Sequence, residues 1–288
     1  MSEIIKQMVD FSGESAQNIT VGQIIENHIV PKFPKAQYTT DNTGKPCIVL
    51  PCIDGNYRSD FNPVIFFDVD PTKIAKGTAA MYTEVGFIDM NTKLTYLYHF
   101  SYRCGYVSNS SDSTGHYTII YFDSPIQWWE YTYDNIRSLG IASSNPNYSI
   151  SMLSMDIMIT KCKTVDTDEE VDVLMVAGGD RQNNIYLAYP YKGRIVKSSI
   201  PVWGLPKVDK TINVYQFNDG NIYNDNLYVC FPQNHTLLKP LARFDSRYQP
   251  VHLDTWNKEA FTIGGKKFDL KLTSASDGEV ISIAKLSK

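Results

Sequence analysis

Alternation of apolar and polar positions is strongest between Tyr82 and Asp123. Leu94, Tyr96, Tyr98, Phe100, Tyr102 and Cys104 share one parity, and Lys93, Thr95, Leu97, His99, Ser101 and Arg103 share the other. Successive strand residues point to opposite faces, so this run predicts a strand with one aromatic face and one mostly polar face. A helix would spread the same aromatics around its circumference. Asp89-Met90-Asn91-Thr92 supplies turn residues before the run, and the polar stretch Ser108 to Gly115 supplies them after it. His116 to Asp123 then returns as a strand apolar on both sides, the mark of an interior position. The expectation is three antiparallel strands with one face packed on something large.

Ahead of this meander, Ile4, Ile5, Met8 and Val9 fall on one face of a predicted helix over Ser2–Phe11. Such a helix is too short to persist alone in water, so its apolar stripe must dock, either as a lid on its own body or on a neighbouring subunit. Gly13 to Asn18 is a polar break. Thr20 opens a second short helix, with Gln23 where a capping box needs it. Val21, Ile24, Ile25 and His28 line its apolar side, and Pro31 and Pro34 end it. Residues 1–46 therefore read as a helical N-terminal arm and loop.

A first β region follows over residues 47–141. Cys47–Ile53 and Pro63–Val69 are apolar strands around the turn-rich Asp54–Asn62, and Asp70-Pro71 begins a helical turn closed by Gly77. After the meander come Trp128-Trp129-Glu130-Tyr131 and a helical turn from Asp134 to Gly140. Ala142–Asn147 is the candidate boundary. Residues 148–288 form a second β region, separate from the first or continuous with it. Its predicted strands are Ile150–Thr160, Val171–Ala177, Ile185–Tyr191, Ile195–Val202, Thr211–Phe217, Leu227–Phe231, Phe261–Ile263, Phe268–Leu272 and Val280–Leu286. Gly264-Gly265 and Asp277-Gly278 sit where tight hairpins want positive φ. The whole predicts an all-β, mainly antiparallel fold, with a β-sandwich or barrel-like body and a short helical N-terminal arm. No propeller or solenoid period is present.

Composition narrows the function. The chain has 288 residues, enough for one large or two smaller domains, and its 19 tyrosines favour strands. A net charge of −4, with Lys and Arg scattered singly or in pairs, gives no basic stripe for nucleic acid. Its five cysteines, Cys47, Cys52, Cys104, Cys162 and Cys230, are odd in number and irregular in spacing, so they form neither a disulfide framework nor a zinc site. Residues 1–6 carry no basic n-region or apolar run of a signal peptide, and no run approaches the ~20 apolar residues of a membrane span. The expectation is a protein made in a reducing cytoplasm, with no nucleic-acid or membrane partner.

Three stretches invite a chemical reading. Ile65-Phe66-Phe67-Asp68-Val69-Asp70-Pro71-Thr72 resembles the nucleophile motif of haloacid-dehalogenase-type phosphotransferases, and its paired carboxylates resemble the metal-binding pairs of primase-polymerases and nucleotide-sugar glycosyltransferases. Carboxylates at i and i+2 on a strand end face the same way, so Asp68 and Asp70 are the metal candidates, with His116 and Asp156 completing the primase-like set. Against this, Pro71 replaces the glycine of the dehalogenase pattern and the strand–helix alternation of that fold is missing. The preferred reading is that Asp70 caps the turn that follows. Gly178-Gly179-Asp180 lacks the Lys-Ser/Thr of a phosphate loop and reads as a hairpin turn. Trp128, Trp129 and Tyr131, with Trp203 and Trp256 elsewhere, form a candidate platform for a sugar. The five histidines are isolated, and Asp166–Glu170 reads as a solvated acidic hairpin tip.

No catalytic residue and no cofactor emerges from this reading. The expected function is a non-enzymatic subunit of a larger assembly, a virion component such as a bacteriophage head, collar or tail protein. Its partners are other copies of itself and other subunits, and the interface residues are Ile4, Ile5, Met8 and Val9. The alternatives are a carbohydrate-binding or carbohydrate-active β protein, and a metal-dependent phospho- or nucleotidyltransferase using Asp68 and Asp70.

Overall fold

The computed structural model describes residues 7–9, 16–80, 83–98, 120–133, 136–143, 153–164, 167–177, 184–201, 207–208, 228–233, 237–244, 248–253, 260–263, 266–276 and 279–286. These are mostly antiparallel β-sheet with one short helical segment near the N-terminus, as the alternation predicts. The chain divides into two units, one of Met1–Thr132 with Arg137–Ile157 and one of Tyr133–Ile136 with Met158–Lys288. Of the Ala142–Asn147 stretch, Ala142 and Ser143 end a strand and the rest lies outside the described residues.

The first unit carries β1 (Gln7–Val9), β2 (Gln37–Thr40), β3 (Pro46–Val49), β4 (Phe61–Phe67), β5 (Ala79–Ala80), β6 (Thr83–Asp89), β7 (Thr95–Tyr98), β8 (Ile120–Tyr121), β9 (Ile126–Tyr133) and β10 (Ile136–Ser143). Strands β2-β3-β4-β6-β7 pair in that order, each antiparallel to the next. Both faces of this sheet are buried. Ile48, Ile65, Val85 and Phe87 share one parity, while Cys47, Val49, Val64, Phe66 and Ile88 share the other and form a cluster. Tyr57, Met90 and Leu97 pack against that cluster. Leu97 belongs to the parity that reads as polar in the sequence, whereas Leu94, on the aromatic parity, is 41% exposed. Tyr96, on the aromatic parity, packs edge-on against buried Phe61 with ring centroids 5.6 Å apart, so in β7, where Thr95, Tyr96 and Leu97 are all partly buried, each parity supplies an apolar contact.

This sheet is rolled. The β2–β3 tip lies beside the Phe67 end of β4 and the β6–β7 tip beside its Phe61 end, so in a flat sheet the two tips occupy opposite corners. Five strands span about 19 Å at the usual strand spacing. Yet the Asn42 N–H donates to the Lys93 carbonyl at 3.0 Å, which only a barrel-like curl permits. Gly86 sits in the bend: a Cβ there would lie 2.1 Å from the Tyr96 carbonyl oxygen, so β6 and β7 approach as closely as they do because residue 86 has no side chain.

The helical segment begins at α1 (Val21–Ile24). Thr20 Oγ1 accepts the Gln23 N–H at 3.2 Å and Gln23 Oε1 accepts the Thr20 N–H at 2.9 Å, completing the expected capping box. The segment then widens into a π-turn over Ile25–Ile29, with the Val30 N–H reaching back to the Ile25 carbonyl, and ends as a 3₁₀ turn over Val30–Lys32. Pro31 therefore does not stop the helix. Its missing N–H and bulky ring loosen the turn before it. The wider turn buries Ile29 alongside Ile24 and Ile25 and leaves His28 half-exposed.

Three local expectations differ from the structure. Gln7–Val9 is a strand and not part of a helix: it pairs with β9 in the register Gln7↔Trp128, Met8↔Gln127, Val9↔Ile126. A lone short helix has no partner in water, while the edge of β9 offers backbone bonds at once. Residues 71–77 form turns, because their backbone groups bond elsewhere: the Pro71 and Lys73 carbonyls accept from Gly22 and Val21, and the Ala75 and Lys76 N–H groups donate to Ile19 and Ala16. The segment after Trp128 is a hairpin of β9 and β10, with Gly140 buried inside β10. Arg137, Leu139 and Ile141 are buried at a period of two, which overrides the helix-closing signal of that glycine. Of the predicted three-stranded meander, β6 and β7 pair, β8 pairs with β5, and residues 99–119 lie outside the described residues.

The second unit begins within β11 (Leu153–Thr164) and continues through β12 (Glu170–Ala177), β13 (Asn184–Tyr191), β14 (Arg194–Pro201), β15 (Lys207–Val208), β16 (Tyr228–Gln233), β17 (Leu237–Phe244), β18 (Tyr248–Leu253), β19 (Ala260–Ile263), β20 (Lys266–Ser276) and β21 (Glu279–Leu286). Strands β11 to β14 pair consecutively, and β17 joins β11 through Ala242–Phe244 while pairing with β16 on its other side. A separate sheet runs β15-β18-β21-β20-β19. The registers Ile263↔Lys266 and Ser276↔Glu279 leave two residues for each turn, as Gly264-Gly265 and Asp277-Gly278 predict. Lys192 and Gly193, both with positive φ, make the equivalent turn between β13 and β14. Strands β15, β17 and β18 escape the sequence pattern, the longer two because Pro240 and Pro250 interrupt them. Pro240 pairs only toward β16, beside a bulge, and Pro250 only toward β21, so neither needs an N–H on its other side.

Candidate functional site

Strand β9 carries several of the first unit's side-chain contacts. Its Ile126 and Trp128 are buried, and Trp128, 3% exposed, has the Lys32 ammonium 5.1 Å from its ring centroid. Beside them the Arg137 guanidinium, 4% exposed, donates through Nε to Glu130 Oε1 at 2.6 Å and through Nη1 to the Pro51 carbonyl at 3.1 Å. The pair thereby ties the β9–β10 hairpin to the segment that follows β3. Glu130 Oε2 is buried with no hydrogen-bond partner among the described residues. A carboxylate held this close by a buried guanidinium anchors the sheet. Nearby in the sequence of contacts, the Tyr57 hydroxyl donates to the Lys35 carbonyl, with the Val49 carbonyl 3.2 Å away, and burial pushes its pKa up to about 12.

The carboxylates of the first unit recur in one arrangement. Oδ1 of Asp41, Asp54, Asp70 and Asp89 each accepts the backbone N–H two residues on, from Thr43, Asn56, Thr72 and Asn91. Each is an Asp-x-Thr or Asp-x-Asn turn that closes a strand connection. Asp70 also accepts from the Thr72 hydroxyl at 2.7 Å, and these two bonds, the hydroxyl first, hold its carboxyl below the usual carboxylate range. Asp68 pairs with Lys45 at 3.0 Å, both side chains partly exposed. Both members of the Asp-x-Asp motif are thus engaged within the fold, and no cluster of three or more metal-ligating side chains occurs among the described residues. His116 and Asp180 lie outside the described residues.

Thiol chemistry is muted at the described sites. Cys47, Cys52 and Cys162 are free and buried, and burial raises the Cys47 pKa to about 12 and that of Cys162 well above the ordinary thiol value. The aromatic platform divides by strand parity. Trp128 is buried with the Lys32 ammonium over its ring, which removes it from an exposed surface, while Trp129 and Tyr131 share the opposite backbone parity in β9.

Two of the four interface residues predicted for the arm fall on the edge of this same strand. Met8 and Val9 lie in β1, opposite Gln127 and Ile126. Ile4 and Ile5 lie outside the described residues. In the sheet order β9 has β1 on one edge and β10 on the other, and β1 covers Ile126–Trp128 of its length. What the sequence pattern misses here is the mode of docking: Gln7-Met8-Val9 reads as a helix face, but it joins the body by strand addition. The available signal was β-branched Val9 opposite the apolar, aromatic run of β9.

The fold and these contacts define an all-β protein whose acidic side chains fasten turns and whose N-terminal strand docks on a sheet edge. Comparison with family models, curated proteins and solved structures finds no match to this chain. No helix among the described residues is long and apolar enough to cross a membrane.

Proposed function

We propose that this chain is a non-enzymatic subunit of a larger, self-associating assembly, of the kind from which virion heads, collars and tails are built. The observation that carries the reading is the attachment of β1, a three-residue strand held to the body through the edge of β9. Strand addition at a sheet edge is the contact that extended segments use to join separate folded bodies, because backbone bonds supply affinity without a preformed pocket. The use of Asp41, Asp54, Asp70 and Asp89 as turn fasteners agrees with this, since those carboxylates serve the scaffold. Three buried free thiols agree with assembly in a reducing compartment.

Negative-stain electron microscopy of the purified chain tests the proposal. Rings, tubes or regular particles of repeating subunits are expected. A field of isolated particles of single-chain size, unchanged as concentration rises, would overturn it.

A further inference from the structure

We draw no further inference here: the strongest candidate, the side-chain cluster of Lys45, Asp68 and buried Glu84 at the Phe67 end of β4, carries nothing because the Lys45–Asp68 ion pair stands partly in water, 35% and 39% exposed, and nothing in the structure points to a ligand there.

Discussion

The rolled sheet of the first unit and the outer end of the β11–β12 ladder in the second are built from the same alternating pattern and differ in what lies on their two faces. Strands β3, β4 and β6 bury residues of both parities, and in the charged pair of that unit Arg137 is buried and the Glu130 side chain is only 14% exposed. At the β11–β12 end, Cys162 and Thr164 are buried while Lys163, Asp168, Glu169 and Glu170 stand in solvent. Its ion pairs, Lys161–Glu170 at 2.8 Å and Lys163–Asp168 at 3.3 Å, sit on the wet face. The comparison teaches that geometry alone does not rank interactions. An ion pair and a strand position matter in proportion to the water they exclude.

The buried pair gives the largest expected effect. Arg137→Met removes the guanidinium and leaves the Glu130 carboxylate buried without its partner, which should cost about 3–5 kcal/mol in urea unfolding. Adding Glu130→Leu should recover a substantial part of that loss, because the second change removes the stranded charge. No recovery in the double variant would mean that the pair acts through shape, not charge. Next comes Gly86→Ala, whose new methyl group would meet the Tyr96 carbonyl at 2.1 Å. Backbone cannot rotate aside as a side chain can, so the cost should reach the upper end of overpacking, about 3 kcal/mol, by the same assay.

The exposed turn carboxylates sharpen the comparison through pH. Thr72 holds the Asp70 carboxyl below its usual range, chiefly through its hydroxyl, and the Asn91 N–H does the same for Asp89. A depressed folded-state value means that the stabilisation is present above the unfolded Asp value of about 4 and is lost as pH falls through the folded value. Melting temperature should therefore fall below about pH 4, and Thr72→Val should shrink the Asp70 share of that fall while raising its titration midpoint in a carboxyl NMR titration. An unchanged midpoint would show that Thr72 does not hold the carboxylate. The smallest effect belongs to the wet face: Lys163→Ala should change unfolding stability by less than about 0.5 kcal/mol, since both partners are about half exposed.

How much of this was legible in the chain follows the same division. The β6–β7 turn at Asp89-Met90-Asn91, the capping box of Thr20 and Gln23, and the paired-glycine and Asp-Gly hairpins are local, and local chemistry writes them into adjacent residues. The Asp-x-Thr/Asn recurrence is equally visible in adjacent residues, and at Asp70 it takes the form of two bonds from Thr72 to one carboxylate oxygen. The curl that brings Asn42 to Lys93 was not legible. It depends on the register of five strands summed across the sheet, and no single stretch carries it. Strand β17 was hidden because Pro240 signals a break, which the strand tolerates because Pro240 pairs only toward β16, beside a bulge. The pairing of Arg137 with Glu130 needed β10 to be a strand, whereas Gly140 read as the end of a helix. For the arm, apolar spacing marked Met8 and Val9 as docking residues but the partner edge on β9 lies more than a hundred positions away.

The central claim, that this chain is a subunit of a self-association, meets its most direct test in the molar mass of the purified chain. Light scattering across a concentration series should return a multiple of 32.7 kDa that persists at the lowest concentration measured. A mass of 32.7 kDa throughout the series would contradict the claim.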